Sequence, residues 1–468
     1  MTAGSMPSLG EPGMKALRKG LAAQQAGQPN EAIAHYRTAL RQHPGLAPAH
    51  FNLGQLLREQ GCYAEAAACF EGAARLRPGA VDAWLNLGVM CEKLDRHRDA
   101  LAAYERATAA NPADPAPQYN RGNALLGLGD FAGAAIAFRA VIELDPGHLD
   151  AQWNLATALL SMGQFEAGWR QYEWRWKKLR VDPADRFPWP LWRGEAVAGK
   201  SILVWREQGL GDELLFVTCV RELVSAGADV TLAASPRLVS LLARAFPSVA
   251  VIPDGSWGAA PFDCHVPIGG LARYLRQRAD QFPPSAKFLV PESTHATRWS
   301  TRLDQLEPGP RIGICWRSGL MTEERNRQYT ELCDWGPLLS IPGVHWINLQ
   351  YDECTAEVAR AEKAFGATIH QWRKEDLKND LESVVGLLWN LDYVITAPTA
   401  VSSLAGGVGV ATLELDAGGD WTTHGEERSP WFPSIRVIRR PSGTLGWGSV
   451  IERVADDVRR SVGEMVPR

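Results

Sequence analysis

The stretch Ala47–Pro78, APAHFNLGQLLREQGCYAEAAACFEGAARLRP, decides how this chain is read, because its pattern returns every 34 residues from about 13 to 180. Gly20, Gly54, Gly88 and Gly122 share one phase, with Ala156 in the fifth slot. Ala32, Ala66, Ala100 and Ala134 share a second, closed by Gly168. Tyr36, Phe70, Tyr104, Phe138 and Tyr172 keep a third, and Pro44, Pro78, Pro112 and Pro146 a fourth. A period held through five units marks a stack of similar supersecondary units, each burying its apolar face on the next.

That period and those residue types resemble the tetratricopeptide repeat. The resemblance implies paired antiparallel helices, small residues where they touch, an aromatic in the second helix and a proline ending it. Such a solenoid grips another chain, so a protein or peptide partner is expected. Asn52, Asn86, Asn120 and Asn154 recur on the first helix of units two to five, with Arg18 in their place in unit one. A row of carboxamides can hold an extended peptide backbone without reading its sequence. The same asparagines can equally bond a neighbouring helix, and both roles stay open.

The rest of the chain is bounded by its bulk properties. Its 468 residues give a prior of roughly three domains. With 46% hydrophobic and 22% charged residues, the composition is that of an ordinary globular protein. A net charge of -4 leaves no basic excess for nucleic acid or a lipid surface. The residues before Gly13 lack an apolar core, and no run of about 18 apolar residues follows, so neither a signal peptide nor a membrane span is expected. Eight cysteines without a CxxC pair read as reduced thiols of a cytoplasmic protein.

Three segments follow one another. The repeats, 13–180, end in Trp169, Trp174, Arg175 and Trp176, a broken unit expected to cap the solenoid. Residues 181–199 carry Pro183, Pro188 and Pro190 with Phe187, Trp189 and Trp192, and read as an ordered linker. From 200 to 292 strands alternate with helices, beginning at Ser201–Trp205, and a polar, proline-bearing stretch near 292–309 is expected to end the unit. The alternation restarts at Arg311 and runs to 462. Two Rossmann-like halves in sequence place a cleft between them, lined by loops at the carboxyl ends of strands.

The sharpest local motif is Glu207-Gln208-Gly209-Leu210-Gly211-Asp212, where the first strand meets its helix. Two glycines allow a tight turn and a close approach to a ligand, and Asp212 can take a proton from a hydroxyl or simply cap the helix. WREQGLGDELLF (205–216), ITAPTAVSSLAGGVGV (395–410) and SPWFPSIRV (429–437) resemble bacterial proteins that fuse tetratricopeptide repeats to a glycosyltransferase-like region. That region is similar to the ADP-heptose:lipopolysaccharide heptosyltransferases of GT-B fold, and the architecture is similar to O-GlcNAc transferase. The resemblance implies an α-solenoid followed by an α/β GT-B region, with a last helix packed across both halves.

It also implies roles. Asp212 matches the family's proposed general base, with Gly209 and Gly211 beside the donor. The loop Cys315–Thr330 matches one that contacts the donor's diphosphate, and offers Arg317, Ser318, Arg325, Asn326 and Arg327. Glu323 and Glu324 could instead neutralise those arginines in a solvated loop. Relatives usually read Asp-Thr-x-x-x-His-Leu-Ala where this chain has Pro398-Thr399-Ala400-Val401-Ser402-Ser403-Leu404-Ala405. Thr399 and Ser403 are left to meet the donor, and the loss of the aspartate and histidine puts transfer itself in question.

The remaining signals are weaker. Trp421, His424, Glu426 and Arg428 occupy a loop, with His424 read as a surface residue, while His265, His345 and His370 read as structural. Without Asp-x-Asp or clustered ligands no metal site is expected, and Gly406, Gly407 and Gly409 do not form a nicotinamide fingerprint. The expectation is a metal-independent, inverting glycosyltransferase with a nucleotide sugar as co-substrate, no cofactor, and a protein or glycan acceptor recruited by the repeats. The alternative is a non-catalytic scaffold with a degenerate GT-B module.

Overall fold

The computed structural model describes residues 11–258, 261–284, 287–319, 329–372, 374–418, 421–441 and 446–465. The chain forms two compact units that meet between Leu155 and Ala156.

The first unit is a run of helical hairpins: α1 (Glu11–Gln25), α2 (Pro29–Gln42), α3 (Ala47–Glu59), α4 (Tyr63–Leu76), α5 (Val81–Lys93), α6 (His97–Ala110), α7 (Pro115–Gly127), α8 (Phe131–Leu144) and the start of α9 (Leu149–Ser161). The phases seen in sequence are contacts here. A methyl group added at Gly20, Gly54, Gly88 or Gly122 would lie 2.6, 3.0, 2.3 or 2.5 Å from the ring of Tyr36, Phe70, Tyr104 or Phe138. Each glycine makes room for the aromatic of its own hairpin, and burying such a ring stabilises by about 1.5–3 kcal/mol. The tyrosine hydroxyls are satisfied on the spot, Tyr36 donating to Gln24 at 2.6 Å and Tyr104 to Glu92 at 2.9 Å.

A fifth phase escaped the sequence reading. Gly27, Gly61, Gly129 and Gly163 all have φ between 68° and 76°, and Asp95 holds the same place in the third repeat with φ 55°. The chain therefore turns from first to second helix through a left-handed residue in every repeat. Prolines 44, 78, 112 and 146 follow the ends of α2, α4, α6 and α8, where they prevent continuation of the helix.

The second unit takes in the rest of α9, from Ala156, and then α10 (Phe165–Tyr172) and α11 (Trp174–Leu179). Residues 181–199 are packed: Phe187 and Trp192 are buried, and the backbone at 190–192 exchanges bonds with His265 at 3.0 and 2.8 Å. The first sheet holds β1 (Ser201–Trp205), β2 (Asp229–Ala234), β3 (Ala250–Pro253) and β4 (Cys264–Pro267), all parallel, in the order β3-β2-β1-β4. Helices α12 (Leu210–Phe216), α13 (Val220–Ser225), α14 (Val239–Ala245) and α15 (Ala272–Leu275) connect it.

After α16 (Ser293–Leu303) come β5 (Arg311–Cys315), α17 (Gly336–Leu339), β6 (His345–Asn348), α18 (Thr355–Phe365), β7 (Ile369–His370), α19 (Leu381–Trp389), β8 (Tyr393–Thr396), α20 (Ala400–Val408), β9 (Ala411–Asp416), β10 (Ile435–Arg439) and α21 (Gly448–Met465). The second sheet is also wholly parallel, in the order β10-β9-β8-β5-β6-β7. Strand order thus reverses between β5 and β8, the place where doubly wound sheets open a crevice.

One helix went unpredicted and one expectation fails. The polar stretch near 292–309 contains α16, which packs on α19. Its burial rests on Trp299 and Leu303, with Trp299 donating to Ser383 at 3.0 Å and Arg302 pairing with Glu375 at 2.6 Å, so the helix carries too few apolar residues to announce itself. The last helix has the expected apolar stripe, but Val450, Ile451, Val454 and Val458 enter the core of the second sheet with Trp335 and Ile438. Its main neighbours are β10, α17 and the turn before α17, rather than both halves. Among the described residues no helix is long and apolar enough to cross a membrane.

Candidate functional site

The turn after β1 carries three carboxylates with different surroundings. Glu207, almost fully buried, accepts from Arg175 at 2.8 and 3.0 Å and from the Gly269 amide at 2.8 Å. Glu213, also buried, accepts from the Ser235 amide at 2.7 Å and pairs with Arg206 at 3.1 Å. Burial raises its pKa, the amide and Arg206 opposing. Asp212, half-buried in the first turn of α12, lines a cavity of about 400 Å³. The helix is capped by Gly209, in ordinary extended geometry (φ -68°, ψ 169°), so that glycine is not demanded by backbone strain. Gly211 answers a different need: a methyl group there would sit 3.4 Å from Ser403 Oγ and 3.8 Å from the Ala400 Cα. Its bareness lets α12 approach α20.

The second wall is the start of α20. Thr399 is its N-cap, accepting from the Val401 amide at 3.3 Å, and lines the cavity with Pro398, Ala400 and Ser403. The third wall was missed in the sequence. Glu414 and Asp416 are alternate residues at the end of β9, therefore on one face, and both line the cavity although buried. Ser402 donates to Glu414, the Gly418 amide to Asp416 at 2.9 Å, and Arg439 lies 3.5 Å from Asp416. Acid at alternate positions of an otherwise buried strand, Leu-Glu-Leu-Asp, was the available signal. Among the described residues every charged group on this cavity's wall is acidic, and no group of three or more such side chains is arranged to hold a metal ion. Trp421 also lines the cavity.

Arg317 stands elsewhere. Its guanidinium bonds Glu357 at 2.5 and 3.1 Å and also pairs with Asp352, and these partners, Glu357 foremost, hold its pKa above the ordinary arginine value. A diphosphate would have to compete with two carboxylates already in place. Ser318 is buried against Tyr351, whose hydroxyl lies 3.4 Å away. Arg325 and Arg327, with Asn326, lie outside the described residues.

Tyr172 stands against Trp421 and near the charge of Asp212. The Tyr172 hydroxyl accepts from Gln208 at 2.6 Å, and its ring lies 5.4 Å from that of Trp421. Burial pushes its pKa up, and the nearby Asp212 charge adds to that. His424 is not a surface residue. It is 5% exposed, bonds the Leu160 carbonyl at 3.0 Å, and is driven down to about 4 by burial. It adopts φ 50°, beside Gly425, where a methyl group would meet the Ser161 carbonyl at 2.7 Å. His265 is buried against Trp205, which donates to it at 3.1 Å, in keeping with a structural role.

In the repeat unit, the asparagine row is half-buried and mostly engaged with neighbours. Asn52 lies near the Tyr36 hydroxyl; Asn86 accepts from Arg58 at 2.7 Å and donates to the Asp82 carbonyl at 2.8 Å; Asn154 donates to Asn123 at 2.8 Å. Asn120 is half-buried in the same phase.

Models of the tetratricopeptide repeat match residues 17–68, 51–115 and 125–168. Protein FlbA of Caulobacter vibrioides is 36% identical over 310 residues, 62% of this chain and 52% of that protein, so the likeness extends past the repeats. The chain spans about half the length of that relative. Among solved structures, MamA 41-end from Desulfovibrio magneticus RS-1 shares 20% identity with a TM-score of 0.33, covering 38% of this chain and 100% of that one. YrrB, described as a TPR protein with an unusual peptide-binding site, shares 25% identity with a TM-score of 0.33, covering 35% and 85%. The first unit is a tetratricopeptide-repeat solenoid, and an α/β region of two parallel sheets follows it.

Proposed function

We propose that the α/β region is a GT-B-like glycosyltransferase whose acceptor is recruited by the repeats. The observation that carries this is the position of Asp212, in the first turn of α12, where it lines a 400 Å³ cavity with Thr399, Ser403 and Trp421. In the reaction, an acceptor hydroxyl oxygen attacks the anomeric carbon of a nucleotide sugar. The bond from that carbon to the diphosphate oxygen breaks, its electron pair leaving with the nucleoside diphosphate. Asp212 takes the hydroxyl proton, and configuration inverts. Glu414 and Asp416, which line the same cavity, would accept hydrogen bonds from sugar or acceptor hydroxyls.

A second reading is a scaffold that binds without transferring. Pro398, Ser403 and the commitment of Arg317 to Asp352 and Glu357 favour it. The test is release of nucleoside diphosphate from a panel of nucleotide sugars by the full chain, with peptide and glycan acceptors. Asp212→Asn should lower turnover about 10²–10⁴-fold, the usual worth of general-base assistance, with nucleotide affinity nearly intact. A wild-type chain that binds donors but never releases nucleoside diphosphate would leave only the scaffold.

A further inference from the structure

A second cavity, of about 380 Å³, lies where strand order reverses, lined by Ser318 and Gly319 after β5 and by Ala400 and Val401 of α20. It differs from the Asp212 cavity in charge. Arg237, three residues past β2, and Lys378, just before α19, stand on its wall with exposed side chains. Arg237 donates to the Lys378 carbonyl at 2.9 Å, which brings the two segments together. Among the described residues on its wall, these two cations face a single carboxylate, Asp352, which Arg317 shares with Glu357, so the described wall carries a positive excess. Its floor is apolar, formed by Leu381, Val384 and Leu404.

The two cavities share Ala400. A basic, apolar-floored space thus adjoins an acidic one, and few ligands suit both. A diphosphate seeks cations and is repelled by carboxylates, whereas sugar hydroxyls donate to carboxylates. A flat base prefers an apolar floor.

We propose that the cavity bearing Arg237 and Lys378 holds the nucleoside diphosphate of the donor, and that the sugar passes Ala400 to face Asp212, Glu414 and Asp416. The assignment rests on the glycosyltransferase reading and gives it a direction. It also moves the phosphate-binding cations from Arg317 to a residue of the first half and a loop of the second.

The test is calorimetric titration of the full chain with ADP, UDP and inorganic pyrophosphate, alongside the donor-release assay. Arg237→Ala/Lys378→Ala should weaken nucleoside diphosphate binding roughly tenfold or more, as loss of two charge-assisted contacts implies. Both positions are exposed, so folding should persist. Arg278→Ala, on an exposed pair with Asp280 outside either cavity, serves as the control and should change nothing. Unchanged affinity in the double variant, with sugar transfer by the wild type, would overturn the placement and leave the transferase reading standing. Lost affinity in the double variant, with no transfer by the wild type, would support the placement while the transferase reading falls alone. Pyrophosphate binding as tightly as the nucleotides would overturn the nucleoside assignment, and a wild type that binds no nucleotide would overturn the whole proposal.

Discussion

Arg175 grips Glu207 with two parallel bonds, Nε to Oε2 at 2.8 Å and Nη2 to Oε1 at 3.0 Å, both side chains being almost wholly buried. Through this pair α11 is fastened to the residue that opens the Gln208–Asp212 turn.

Removing one partner of a buried pair leaves the other charge stranded, at a cost of about 3–5 kcal/mol. Arg175→Ala should therefore lower stability by that order in chemical denaturation. Arg175→Met with Glu207→Gln should recover much of the loss, since the stranded charge is gone. Equal destabilisation by the single and double changes would show that packing rather than charge is at stake.

Acid sensitivity should come partly from His424. Its folded pKa is about 4, pushed down by burial from an ordinary value of 6.5. The unfolded chain therefore binds the extra proton first. The contribution is complete above about pH 6.5 and is lost as pH falls through about 4, an effect of up to ~3 kcal/mol. His265, also pushed to about 4, adds in the same direction. His424→Asn, which tolerates the left-handed backbone and keeps a donor for Leu160, should flatten the fall in melting temperature between pH 6.5 and 4.

The repeat glycines separate cleanly by what surrounds them. Gly88→Ala would drive a methyl group to 2.3 Å from the Tyr104 ring, and overpacking of this kind costs about 1–3 kcal/mol. Gly79→Ala meets nothing within 4 Å and should be close to neutral. Thermal unfolding followed by circular dichroism checks both.

Asp95 is the single non-glycine among the described left-handed turns that join first to second helices. Asp95→Gly should stabilise the repeat unit by about 0.5–1 kcal/mol, because glycine enters that region without a Cβ penalty. A loss of stability would mean that the nearby His97, 3.8 Å from Asp95, matters more than backbone strain.

The repeats were legible because four units repeat the same contact: a bare glycine against a ring is visible once and then confirmed three times over. The strands were legible because most are buried on both faces, as Ile202–Trp205 and Leu413–Asp416 are. What stayed hidden was pairing at a distance. Arg317 looks available in sequence because Asp352 and Glu357 are 35 and 40 residues away. Glu207 and Glu213 look as eligible as Asp212 until the fold is seen to set Asp212, and neither of the other two, on the cavity wall. The asparagine row kept its period, yet Asn86 spends its amide on Arg58 and the Asp82 carbonyl. Helix α16 was lost because one tryptophan and two arginines do work that an apolar stripe usually does.

The aromatic seam of α10 has a practical consequence for dissecting the chain. Trp169 meets Phe216, Trp421 and Trp431 edge to face, and its indole donates to the Arg276 carbonyl at 2.7 Å. A truncation placed after residue 180, where the repeat pattern ends, would strip this seam and present several large rings to water. An expression boundary placed ahead of Ala156 would keep α10 and α11 with the sheets they cover, making the final hairpin's second half an heirloom of the α/β region rather than a detachable part of the solenoid.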